Sequence, residues 1–260
     1  MGHKRLGWLP KSKIWRDIVD ELGSFALGLK DVSAIANHTL REVQDRYTEL
    51  RNDPSIQSAF EFLLQVSFAF QKEDPLKYLT ENKILDNKEL SVLKLARAAT
   101  NYKNNEVVSH EYQSFARQAA VDAINNWYKD NIERGQTLFN EGIDSSQIFS
   151  KAANGSGFCE LSRLYFSKLT ERYLKYFLER EASAKITNLS TRKKFSSEIE
   201  NQINQISKHA FETAKITQSY SAGWFNNNAR GKFPEEKEIK GFLSYALGKM
   251  QSELLREEAK

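Results

Sequence analysis

Between Ser156 and Lys185 the chain places most of its large apolar side chains on one side of a helix, and few folds can accommodate that. At about 100° per residue, Phe158, Leu161, Tyr165, Phe166, Leu169, Tyr173, Tyr176 and Phe177 fall on an arc roughly 160° wide, too broad for the narrow seam of a two-stranded coil. Burying an aromatic contributes on the order of 2–3 kcal/mol at about 25 cal/mol per Å². A helix with this many must have several neighbours. Leu174 and Leu178 extend the apolar surface onto the back, while Lys168, Glu171, Arg172, Lys175 and Glu179 make one charged stripe that has to reach water or a partner.

The rest of the chain repeats the helical period. Ser12 is placed to cap a helix carrying Ile14, Trp15, Ile18, Val19 and Leu22, with Gly23 as its stop. Asp31 opens a second, with Val32, Ile35, Ala36, Leu40, Val43, Tyr47 and Leu50 at spacings of three and four. Asp53-Pro54 and Asp74-Pro75 each put a capping carboxylate before a proline at the first helical position. The first of these leads into Phe60, Phe62, Leu63, Leu64, Val66, Phe68 and Phe70, apolar nearly all round. Further helices are expected over Asp86–Tyr102, from Ser109 through Trp127, from Ser190 along one stripe to Gly223, and from Pro234 to the end, with Asn226–Lys232 as a polar loop.

No Asn-Gly or Asp-Gly hairpin and no sustained alternation suggests a strand. The expected fold is therefore all-α, a multi-helix bundle or two packed helical subdomains around a long central helix near 157–185. Gly142, Gly155 and Gly157 flank a weakly patterned stretch, so a boundary is expected near residue 150. That divides the chain into 1–150, with a basic N-terminal arm, and 151–260, unless the domain is continuous.

Composition narrows the setting. Cys159 is the only cysteine, so no internal disulfide can form and a reducing, cytoplasmic compartment is expected. No leader pattern opens the sequence, and the richest apolar run, Phe60–Phe70, is too short to span a bilayer, so no membrane is expected. Net charge is +4, unevenly spread: residues 1–150 hold 19 basic and 21 acidic groups, residues 151–260 hold 19 and 13. That excess fits an acidic partner or nucleic acid and is well below that of a dedicated nucleic-acid binder.

The residues offer little for catalysis. His3, His38, His110 and His209 are scattered, and only His110-Glu111 sets a carboxylate beside an imidazole, in a first helical turn where Glu suits the dipole. Cys159, between Phe158 and Leu161, reads as a packed core thiol. Gly155-Ser156-Gly157 opens a helix without the Gly-Lys-Ser/Thr of a phosphate loop, and no metal-ligand spacing occurs. No metal and no cofactor is expected, and no catalytic residue is assigned.

The leading expectation is a non-catalytic helical subunit that docks a protein partner or a second copy, through Trp8, Trp224, Phe225 and the face of the last helix, Phe242, Leu243, Leu247 and Met250. The alternative is an accessory nucleic-acid binder of the kind a bacterial defence or mobile-element operon would carry. Its phosphate contacts would come from Lys4, Arg5, Lys11 and Lys13 in the arm, Arg192, Lys193 and Lys194, and Arg230 and Lys232. An enzyme of unfamiliar type is the third reading, with Cys159, His110, Glu111 and His209 as the first residues to alter.

Overall fold

A computed structural model of the chain describes residues 13–39, 50–103, 110–135, 144–213 and 215–258. Those residues are helix, turn and loop, with no strand among them, so the protein is an all-α multi-helix bundle.

The chain begins with α1, Lys13–Ala26, which buries Ile18, Leu22 and Phe25. Gly23 does not stop it. The stop is Gly28, whose φ of 74° lets its N–H donate to Phe25 O (2.9 Å) while Leu29 N–H donates to Ser24 O (3.0 Å). This is the left-handed closure that glycine adopts without a side-chain clash. Asp31 then accepts from Ser33 N–H at 3.2 Å and starts α2, helical over 32–39, with Val32, Ile35 and Ala36 buried.

Both Asp-Pro starts hold. Asp53 accepts from Ser55 N–H at 2.8 Å ahead of α3, Pro54–Ala69, and Asp74 from Lys77 N–H at 2.8 Å ahead of α4, Pro75–Glu81. As its composition implies, α3 is buried nearly all the way round. By contrast, α5 covers only Val92–Asn101, not Asp86–Tyr102. Asn87 instead turns its side chain onto the backbone N–H of Glu89 (3.3 Å), a local bond that competes with helix, and Ser91 supplies the cap by accepting from Lys94 N–H.

Next come α6, His110–Gly135, which lays Ala116, Ala119, Ala120, Ala123 and Trp127 into the core, and the short α7, Ser145–Ser150. Trp127 Nε1–H donates to Ile148 O and ties the two. A single 3-10 turn, Lys151–Ala153, leads to Asn154, whose side chain accepts from Gly157 N–H at 2.9 Å and caps α8, Gly155–Lys185.

At roughly 45 Å for its 31 residues, α8 is the axis of the bundle. It touches α1, α3, α6, the 3-10 turn, α9 (Leu189–Thr213) and α10 (Lys215–Asn228). Phe158, Leu161, Tyr165, Phe166, Leu169, Tyr173 and Phe177 are buried, and Tyr176 is half-buried. The Tyr165 hydroxyl donates to Ile56 O at 3.1 Å, so even the polar tip of this core aromatic is satisfied.

The stretch expected as one helix up to Gly223 is helical on both sides of residue 214, as α9 and α10; residue 214 itself lies outside the described ones, as do the side chains of Ile203, Ile206 and Ala210. Gly223 ends nothing. α10 runs on to Asn228 because Trp224 and Phe225 pack against Phe158, with ring centroids 6.1 and 4.4 Å away, and so the expected loop starts only after Asn228.

The last helix, α11, Glu236–Glu258, begins two residues after Pro234. Glu235 N–H donates to the Glu238 carboxylate at 2.7 Å, the reciprocal half of a capping box, which fixes the start there. Ser12 and Ser109, expected as caps, lie outside the described residues. Buried apolar residues on both sides of 144–154 belong to one cluster, with Ile148, Phe149 and Ala152 inside it.

Candidate functional site

The charged stripe of α8 faces α6 and α9 across a groove of about 640 Å³. Glu171, only 5% exposed, sits between Lys168 (2.7 Å) and Lys175 (3.0 Å), which three- and four-residue spacing stacks on one helix face. Lys175 also reaches Glu200 of α9 at 2.8 Å. Arg172 Nε–H donates to Asp122 of α6 at 2.9 Å, and a second nitrogen of the same guanidinium reaches the same oxygen. Every cation of the stripe is paired. The groove therefore offers an incoming anion no spare charge, and its evident role is to tie three helices together at the one face of α8 that cannot enter an apolar core.

Burial alone would pull the Lys175 ammonium down, but hydrogen bonds to Glu200 and Glu171 together outweigh it and hold the group above its ordinary range. The bond from Lys175 holds the Glu200 carboxyl below its ordinary range, with burial opposing. A depressed carboxyl stabilises above its unfolded value, near 4.5, and loses that contribution as pH falls through the folded value. A raised ammonium stabilises below 10.5 and loses it as pH rises through the folded value. The contribution is thus full across the interval between. Glu200→Gln is expected to lower stability by at most about 1 kcal/mol, since Glu200 is half exposed. Denaturant unfolding should show a constant gap to the wild type at neutral pH and a vanishing gap in acid. A gap unchanged in acid would contradict the pairing.

A second feature lies where α1 and α9 meet. Phe25 packs edge-on against Phe195 (centroids 5.1 Å apart), and Lys185 approaches Asp20 at 3.5 Å. Within a few residues of this contact, Leu27 and Leu29 are each 75% exposed and Leu189 is 62% exposed. A small pocket of about 260 Å³ opens at Leu189, lined also by Ala182, Phe195, Arg192 and Lys193, with Glu179 as its one carboxylate. Arg192 Nε is buried there with no hydrogen-bond partner among the described residues.

The structure separates the residues that the sequence groups for binding. Arg192, Lys193 and Lys194 stand beside the C-terminal end of α8, and Lys194 is already paired with Glu198. Arg230 and Lys232 follow α10, which packs on the N-terminal end of α8, and Lys232 pairs with Glu235. Lys13 is exposed at the start of α1, while Lys4, Arg5, Trp8 and Lys11 lie outside the described residues. The expected docking face is corrected outright: Trp224, Phe225, Phe242, Leu243 and Leu247 are all buried within the chain. Trp224, Phe225 and Phe242 pack on the Phe158 ring, and Leu243 and Leu247 lie in the same apolar core, so none of them is surface a partner could touch. The Met250 side chain is outside the described residues.

Cys159 is buried, and loss of solvation pushes its thiol up to about 11, so it is protonated and unreactive at neutral pH. Gly155-Ser156-Gly157 is likewise a packing device. Gly157 N–H is taken by Asn154, and a Cβ at Gly157 would lie 1.9 Å from Lys151 O. His209 has no described side chain, and among the described residues no three His, Cys, Asp or Glu groups come together to hold a metal ion. No described helix is long and apolar enough to cross a membrane.

Compared with known protein families, with curated proteins and with solved structures, the chain matches none of them. The exposed leucine pair at the α1–α2 turn went unnoticed in the sequence. Its one signal was Leu27-Gly28-Leu29, apolar residues astride a helix-stopping glycine where a polar turn is usual.

Proposed function

We propose that this chain is a helical docking module whose partner lays an acidic, leucine- or phenylalanine-bearing segment on the end of the bundle built from the α1–α2 turn and the start of α9. The observation that carries the reading is the grouping of Leu27, Leu29 and Leu189, three of the four exposed large apolar side chains among the described residues, at the α1–α9 end of the bundle, with Arg192 and Lys193 lining a pocket at Leu189. An apolar side chain would enter the pocket, and carboxylates beside it would meet Arg192 and Lys193. The docking surface is thus not the last helix: it is made by what the core leaves over. The nucleic-acid reading draws less support, because its basic clusters lie near opposite ends of α8 and form no continuous track.

The test is a photo-crosslinking residue at position 189, with Leu93 as control. Leu93 is 79% exposed and sits on a different helix. In extract of its own cells, position 189 should yield one heterologous adduct that position 93 does not, and Arg192→Glu with Lys193→Glu should weaken it at least tenfold. Equal labelling from both positions, adducts only between copies of this chain, or indifference to the charge reversal would overturn the proposal.

A further inference from the structure

We infer that the cleft between the ends of α4 and α5 binds the phosphate group of a small phosphorylated metabolite. The cleft measures about 620 Å³ and is lined by Lys83, Lys94, Arg97 and Lys103, with Asp86 as the one carboxylate among its lining residues. Its volume falls within the range of roughly 300–1,000 Å³ typical of small organic ligands. Ile84 and Leu85, both buried, give it an apolar floor.

The four cations are not equivalent. Lys103 is engaged by Glu61, and Lys94 by Glu89 and by Asn87 at 2.8 Å. The side chains of Lys83 and Arg97 have no hydrogen bond or ion pair among the described residues. An ammonium and a guanidinium left unpaired in one concavity form the combination that grips a phosphate dianion, one as a point charge and one as a fork.

The backbone supports the same assignment. Lys83 (φ 57°) and Lys103 (φ 32°) are the two non-glycine residues of the described chain with positive φ, and both line this cleft. Lys83 closes α4: its N–H donates to Thr80 O at 3.0 Å and Ile84 N–H donates to Leu79 O at 2.9 Å, the position that glycine fills most cheaply. A lysine could complement the carboxyl end of α4 from any place in the last turn without a left-handed backbone. Helix-end electrostatics therefore do not account for lysine at this position, whereas a cation needed in the cleft does. The basic clusters at Arg192–Lys194 and Arg230–Lys232 belong to other elements and do not line the cleft.

The test is calorimetric titration of the full chain with ADP, inorganic pyrophosphate, glucose 6-phosphate and a short oligothymidylate at about 50 mM salt. At least one of the three small phosphates should bind. Arg97→Gln and Lys83→Gly should each weaken it about tenfold, and the pair about a hundredfold. Lys83→Gly suits the left-handed position and Arg97 is exposed, so both variants should keep the wild-type melting temperature or exceed it. Lys237→Gln, an exposed cation on α11, should leave binding unchanged. The inference fails if none of the small phosphates binds, if the double variant binds as the wild type does, if sulfate at matched ionic strength competes equally, or if the oligonucleotide binds more tightly than every small probe.

Discussion

Phe158→Ala is expected to lower the stability of the fold by about 3–5 kcal/mol, measured by denaturant unfolding at neutral pH. The side chain is fully buried and stands where four helices meet. Its ring centroid lies 5.9 Å from Phe60 of α3, 4.4 Å from Phe225 and 6.1 Å from Trp224 of α10, and 6.0 Å from Phe242 of α11. Removing the ring forfeits its transfer free energy and leaves a cavity that cannot close, because each neighbour is held by others. Phe242, for example, also stacks on Phe60 at 5.1 Å and on Tyr220 at 5.7 Å. Against a typical total of about 5–15 kcal/mol, that loss should leave the protein marginal at 37 °C. Phe158→Leu, which keeps most of the volume, should cost less than half as much. Equal costs for the two variants, or a cost near zero for alanine, would contradict the placement of Phe158 at this junction.

Gly157→Ala adds a single methyl group and should cost as much, about 3–5 kcal/mol, or prevent folding altogether. The new Cβ would lie 1.9 Å from Lys151 O and 2.8 Å from Lys151 C, both backbone atoms, so no rotamer change can relieve the clash. The 3-10 turn would have to withdraw from α8, taking Ala152 out of the core. The matching control is Gly223→Ala in α10, where a Cβ meets nothing within 4 Å. There, alanine should raise stability by about 0.5–1 kcal/mol through its better helix propensity. Melting curves of the two variants should therefore move in opposite directions. If Gly157→Ala melted at the wild-type temperature, the close approach of the turn to α8 would be wrong.

This contrast marks how far local pattern reaches. Gly23, Gly157 and Gly223 look alike in the sequence, each a glycine at or near the edge of an apolar run, and each reads as punctuation. The structure runs helix straight through Gly23 and Gly223, and uses Gly157 for a contact with a turn six residues earlier. The difference lies in what packs against each position, and composition carries no trace of that. The same limit governs the binding surfaces. Trp224, Phe225 and the face of α11 are as suitable for an interface as for a core, and only the presence of Phe60 and Phe158 opposite them decides. Arg192–Lys194 and Arg230–Lys232 look like two parts of one basic surface until the length of α8 separates them. Lys83 and Arg97 are unremarkable in a chain with 38 basic residues, and their common cleft exists only because α4 closes on a left-handed lysine in front of α5.

What the amino-acid order settled unaided is what depends on near neighbours. That covers the helical class, the span and buried arc of α8, the Asp-Pro starts of α3 and α4, and the burial of Cys159. Each follows from propensities, caps and a 3.6-residue period that act over a few residues. What only the tertiary structure decided is which apolar faces pair with one another, and so which side chains stay exposed. It also decided which cations find carboxylates and which do not. Those choices are made between residues on different helices, far apart in the sequence, where the free energy belongs to the pair of surfaces and to neither segment alone.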